Sequence, residues 1–185
     1  MSGLDSTYMV AFFVVFCLFF LVVPASYAPS DLLAPWPAGL RYECVNGNFG
    51  ATHDIPFTYY AWDFEMPIGS EVLAASRGRV DFCGVTGTDG YGEQVRIKHP
   101  NGSYTLYAHL SAHAVYRGQQ IRRGDVIGFS GNTGYSFTPH LHFAVIDRGN
   151  LSYPAAFLDI GIPVENGWYV SKNRRYHGRI EPVSR

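Results

Sequence analysis

Two histidines stand one residue apart, His140 and His142, inside an apolar run that continues through Ile146 and reads as a β-strand. Side chains on a strand alternate between faces, so both imidazoles share one side while Leu141, Phe143 and Val145 take the other. A fold that holds this strand must bury one face and keep two ring systems over one small volume on the opposite face. That spacing suits a metal centre, with one ring binding Zn2+ while its neighbour works beside the metal on water or a substrate carbonyl. Two surface histidines on a hairpin have the same spelling, and the rest of the chain has to decide between these readings.

Turn signals punctuate the whole sequence. Its 20 glycines and 11 prolines are scattered rather than clustered, as in a β-rich domain of short strands. Tyr59 to Phe64 reads as a strand with Tyr60, Trp62 and Phe64 on a bulky face and Asp63 on the other, beside Tyr59 and Ala61. A carboxylate there is costly unless it is paired or bound to metal. Further strands are expected over Glu71 to Ala75, Gly78 to Cys83, Glu93 to His99 and Ser103 to Leu110, the last two joined by an Asn101-Gly102 turn. Alternation then puts His109 on a face with Thr105 and Tyr107. Gly118 to Gly128 reads as two short strands, and one more is expected near Trp168 to Val170. The glycines from Gly84 to Gly92 do not make a phosphate loop, because no Gly-Lys-Ser or Gly-Lys-Thr follows and the next segment is a strand.

With 47% hydrophobic and 16% aromatic residues, a chain of 185 residues can bury one sizeable core. A formal net charge of -1 lacks the basic surplus expected of a nucleic-acid partner. Met9 to Val23 is unbroken apolar sequence followed by Pro24, and Ser26 and Ala28 stand at the expected cleavage positions of a secretory signal. The preceding segment carries Asp5 and neither Lys nor Arg, so an uncleaved membrane anchor through residues 9–23 stays open. Either way the remainder is expected outside the cytoplasm, periplasmic or extracellular. An oxidising compartment and an even pair then lead us to expect a Cys44 to Cys83 disulfide. The expected divisions are a signal or anchor over 1–28, a linker or arm over 29–45, a main domain over 46–157, and an extension with a solvated basic tail over 158–185.

With these pieces placed, residues from about Asn46 to Phe157 resemble the lysostaphin-like zinc endopeptidases of the M23 family. The resemblance is carried by Tyr60 to Gly69, Gly78-Arg79-Val80, Tyr107-Ala108-His109-Leu110, Ile127 to Gly134 and Pro139-His140-Leu141-His142-Phe143. It implies a mainly β fold, a single antiparallel domain of the duplicated hybrid type with its site in a groove. It also implies one Zn2+ per chain on His53, Asp63 and His142, with Asp54 an adjacent alternative to His53. His109 and His140 would stand beside the metal to take a proton and stabilise an oxyanion, in an order that stays open. Nine residues separate His53 from Asp63, a longer gap than many members have, but one that exported members with an Ala-x-Asp-Phe-x-Met-Pro segment share. The implied activity is hydrolysis of peptidoglycan stems or cross-bridges. A silent relative that binds or activates another cell-wall enzyme is the alternative. A carrier domain is disfavoured because the turn Arg123-Gly124-Asp125 lacks the lysine that a carrier needs. No metal role is expected for His99, His113 or His177.

Overall fold

The computed structural model describes residues 27–87 and 90–176. The apolar stretch at 9–23, read as a signal or anchor, and His177 lie outside the described residues. Among the described residues no helix is long and apolar enough to cross a membrane.

The expected alternation produces two antiparallel sheets. In chain order the strands are β1 (Arg41–Asn46), β2 (Trp62–Glu65), β3 (Glu71–Leu73), β4 (Gly78–Val85), β5 (Glu93–Lys98), β6 (Tyr104–Leu110), β7 (Ala112–His113), β8 (Gln120–Ile121), β9 (Val126–Phe129), β10 (His140–Ile146) and β11 (Gly167–Val170). The large sheet runs β11-β1-β2-β10-β6-β5-β4-β8, and the small one β3-β9-β7. The His-x-His strand, β10, is therefore interior, paired with β2 on one side and β6 on the other.

One face of the large sheet carries the main core. Trp62 and Phe64 of β2, Tyr107 of β6, and Leu141, Phe143 and Val145 of β10 are buried there with Val80, Val95 and Ile97. The opposite face has a smaller apolar cluster of Ala61, Tyr104, Leu106, Ala108, Ala144 and Ile146. Asp63, His140 and His142 belong to that second face by strict alternation with these residues.

Among the irregularities of the ladders, two bulges re-aim side chains beside this second face. Glu93 faces Leu110 and Val95 faces Tyr107, so Gln94 alone stands against two residues of β6, Ala108 and His109. The extra residue turns His109 away from the face of Thr105 and Tyr107, where period 2 had put it, and toward His140, 4.7 Å away between ring centroids. His109 has a φ of 60°, a left-handed conformation that costs a residue with a Cβ about 1–2 kcal/mol. The second bulge lies in β1, where Cys44 faces Phe64 but Asn46 faces Asp63, leaving Val45 unpaired between them.

Two further expectations are corrected, and one open choice is decided. Cys44 and Cys83 are free thiols. They stand on β1 and β4, with β2, β10, β6 and β5 between them. That is about 24 Å along the sheet at about 4.8 Å per strand, whereas a disulfide needs Cα atoms roughly 4.4–6.8 Å apart. Of the linker or docking arm expected over 29–45, the chain has the arm, which enters the core through Leu32, Ala34 and Trp36, all fully buried. Trp36 meets Phe64 edge-on at 4.8 Å, and Leu33 donates its backbone N–H to Ala75. The start of the tail expected to be solvated is tied down by Asn173, whose Nδ2 donates to the carbonyls of Ala34 and Ala74 at 3.0 and 3.1 Å.

Candidate metal centre

Asp63 and His142 face each other across β2 and β10, and the pairing puts both side chains on the second face. The loop from Gly47 to Ala61 brings His53 to them. It folds tightly, with Gly50 donating to the carbonyl of Gly47 and His53 to that of Gly50. His53 is 1% exposed, and its Nδ1–H donates to Gly47 O at 2.7 Å. A carbonyl only accepts, so Nε2 of a neutral His53 carries a lone pair. That atom stands 3.3 Å from Oδ2 of Asp63, while Nδ1 of His142 stands 2.8 Å from Oδ1.

These three residues, and not Asp54, offer one ligand atom each within 4.8 Å of one another. Nε2 of His53 and Nε2 of His142 are buried without a hydrogen-bond partner, an arrangement that costs free energy unless something binds there. A lone pair aimed at a carboxylate calls for a cation between them. Two neutral imidazoles and one carboxylate are also the donor set of an open zinc site. The residues present therefore fit Zn2+.

Burial and the charge of Asp63 together set the electrostatics of the cluster. Burial penalises charge on Asp63, but the hydrogen bond from His142 and the closeness of the His142 and His53 rings outweigh it and hold the carboxyl well below its usual range. For His53, burial pushes the ring down, and the adjacent carboxylate of Asp63 reverses this to leave it raised. His142 stays below its ordinary value because burial exceeds the pull of Asp63. His109 falls to about 4, through burial first and then repulsion from His142 and His140.

His109 and His140 flank the cluster. Nδ1–H of His109 donates to Thr133 O at 2.8 Å, and Nδ1–H of His140 donates to Thr138 O at 2.7 Å. In each ring Nε2 is thereby the atom left to exchange a proton. Nε2 of His140 lies 3.7 Å from Oδ1 of Asp63. All five histidine and aspartate side chains singled out in the sequence line one groove of about 860 Å3. Its rim is aromatic, with Tyr135 and Phe137 in edge contact at 5.2 Å and 73% and 77% exposed. His99 stands apart, with one ring nitrogen against Arg77 O and the other against Thr105 Oγ1. His113 pairs with Glu93 at the surface.

The sequence reading missed Asn46, whose Nδ2 donates to Asp63 Oδ2 at 3.2 Å. The dense glycines around it, Gly47 and Gly50, were a signal of close backbone approach. Nothing in the spacing announced the bulge that aims it. The aromatic rim residues Tyr91, Tyr135 and Phe137 were missed as well, since loop aromatics carry no period.

Comparison with known proteins places this geometry in context. A match to Peptidase family M23 spans residues 58–154 and so includes Asp63, His109, His140 and His142 but begins after His53. The chain is 49% identical over 121 residues to the DD-carboxypeptidase/endopeptidase Mpg of Neisseria meningitidis, covering 63% of this chain and 27% of that protein. It is 42% identical over 103 residues to the peptidoglycan DD-endopeptidase ShyA of Vibrio cholerae, covering 55% of this chain and 23% of that one. The fold is similar to the antimicrobial peptidase lysostaphin from Staphylococcus simulans, with a TM-score of 0.55 and 30% identity over 69% of this chain and 52% of that one. The match thus spans about a quarter of the length of these two curated relatives.

Proposed function

Because the chain belongs to peptidase family M23, we propose that it is a zinc-dependent endopeptidase that hydrolyses peptide bonds in peptidoglycan stems or cross-bridges. The observation that carries this reading is the convergence on Asp63 of two buried imidazoles with unpartnered Nε2 atoms, flanked in the same groove by two more. His53, Asp63 and His142 would hold the metal. Zn2+ bound there supplies a Lewis acid that polarises a scissile carbonyl and acidifies water.

The protein's own groups do the rest. Asp63 stays ionised and keeps the centre attractive to a cation. His109 is neutral at pH 7, since its value is about 4, and its free Nε2 accepts a proton from an attacking water or donates a hydrogen bond once protonated. His140, fixed at Nδ1 by Thr138, presents Nε2 for the complementary task, and with a proton on that nitrogen it donates a hydrogen bond to the oxyanion. The open groove admits an extended peptide, and its aromatic rim supplies apolar contact while the histidines lie at its floor.

Peptidoglycan lies outside the cytoplasmic membrane, so this activity requires export, a role for the apolar stretch at 9–23 as signal or anchor. We assign the peptidase unit to residues 46–157, buttressed by the arm and the extension on either side. All five side chains that turnover requires are present and converge, which favours an active enzyme over a silent binding relative.

The test is incubation of the purified protein with defined muropeptides, before and after treatment with a chelator, reading new amino termini by mass spectrometry. Cleavage that stops on chelation and returns with zinc is expected. Full cleavage by metal-free protein contradicts the proposal, and zinc-loaded protein that never cleaves points to the binding relative.

A further inference from the structure

β1 departs from alternation at one point, and the departure aims a side chain at the metal centre. In an unbroken ladder Asn46 would share the core face with Cys44, which is buried opposite Phe64. The unpaired Val45 shifts it by one residue, and Asn46 arrives opposite Asp63 instead. There Nδ2 donates to two acceptors, Oδ2 of Asp63 at 3.2 Å and Oγ1 of Thr52 at 2.7 Å. A carboxylate can only accept, so the amide is oriented with its nitrogen toward Asp63. The residue is 9% exposed, which keeps water from competing for the contact.

The surroundings are shaped to hold this amide. A Cβ at Gly50 would stand 2.0 Å from Oδ1 of Asn46, so a side chain there would expel it. The thiol of Cys44 donates to the backbone carbonyl of Asn46 at 3.4 Å. On its outer edge β1 pairs with β11, and Asn166 donates its N–H to the carbonyl of Cys44 at 2.7 Å. β11 lies beyond the family match, which ends at residue 154, yet it braces the strand that carries Asn46.

We infer that Asn46 is a positioning residue for the metal centre: its amide N–H holds the carboxylate of Asp63 in the rotamer that faces His53 and His142. The inference rests on the proposed reading of those three residues as metal ligands. A carboxylate held by a donor that is not itself a ligand keeps its orientation when the metal leaves, so less ordering remains to be done on binding. A neutral amide does this without adding a second negative charge. Partners of this kind typically change metal affinity 10- to 100-fold when removed. Thr52 acts one step further out, by anchoring Nδ2 of Asn46.

The experiment is a zinc titration by competition with a chromophoric chelator, on the full chain and on Asn46→Ala, Thr52→Ala, the double variant and Asp63→Ala, with thermal melting of each. Asn46→Ala is expected to weaken zinc about 10- to 100-fold, with KM for peptide unchanged once zinc is saturating. Thr52→Ala is expected to weaken it by a smaller factor, and the double variant to match Asn46→Ala, because Thr52 acts only through Asn46. Zinc affinity in a folded Asn46→Ala within twofold of the parent overturns the inference, as does an additive double variant. Should Asn46→Ala fail to fold, Thr52→Ala, altered at an exposed position, decides alone, and unchanged affinity there overturns it. A parent chain that binds no zinc, or Asp63→Ala with parental affinity, strikes instead at the metal site itself.

Discussion

His142 and Asp63 sit opposite each other on neighbouring antiparallel strands, with Nδ1 of the ring 2.8 Å from Oδ1 of the carboxylate. They are 79 residues apart in sequence, and only the pairing of β2 with β10 makes them partners. The same pairing buries Trp62 and Phe64 on the reverse face with Leu141 and Phe143. Core packing and site geometry are therefore two sides of one register, and a slip by a single residue would destroy both.

Acid should weaken the fold through His109. Its folded value of about 4 lies below the ordinary value of 6.5, so the unfolded chain binds the proton that the folded chain refuses. The stabilisation is complete above about pH 6.5 and is lost as pH falls from there toward 4. His99, lowered by burial, acts in the same direction. Urea midpoints of metal-free protein between pH 7 and 5 should fall, and fall less steeply in His109→Gln. Equal slopes for the two proteins would contradict this.

Trp36 should behave as a core residue although it precedes the family match. It is fully buried against Phe64 and Tyr42, and its Nε1 donates to Leu40 O at 3.0 Å. Trp36→Ala should cost about 3–5 kcal/mol, measured by denaturant unfolding. A cost near zero would mean that the arm is a tether after all.

The two thiols should label differently. Cys44 is buried, and burial first, then the nearby charge of Asp63, push it up to about 12. Cys83 is only half-buried. Under native conditions alkylation and peptide mapping should modify Cys83 first and Cys44 only on unfolding. A linked Cys44–Cys83 peptide would contradict the sheet order.

Period 2 made β2 and β10 legible, and with them the faces of Asp63, His140 and His142. His109 was legible as a site residue through the motif it belongs to, but its face was not. A bulge adds one residue to one strand and leaves no trace in the alternation of Thr105, Tyr107 and His109. Asn46 escaped for the same reason. For the arm the choice between a linker and a docked segment stayed open, because its prolines break any period and Leu32, Ala34 and Trp36 gain their partners from strands far along the chain. The cysteine count allowed a disulfide, but a count carries no distance, and four intervening strands decided the matter.

On the proposed reading His53, Asp63 and His142 hold the metal while His140 works beside it. Zinc content of purified His142→Ala and His140→Ala, measured by elemental analysis beside the parent chain, tests this most directly. His142→Ala removes one of three ligands and should lose both zinc and activity, whereas His140→Ala should keep its zinc and lose turnover by about 100- to 10,000-fold. A zinc-replete His142→Ala beside a zinc-free His140→Ala would contradict the account.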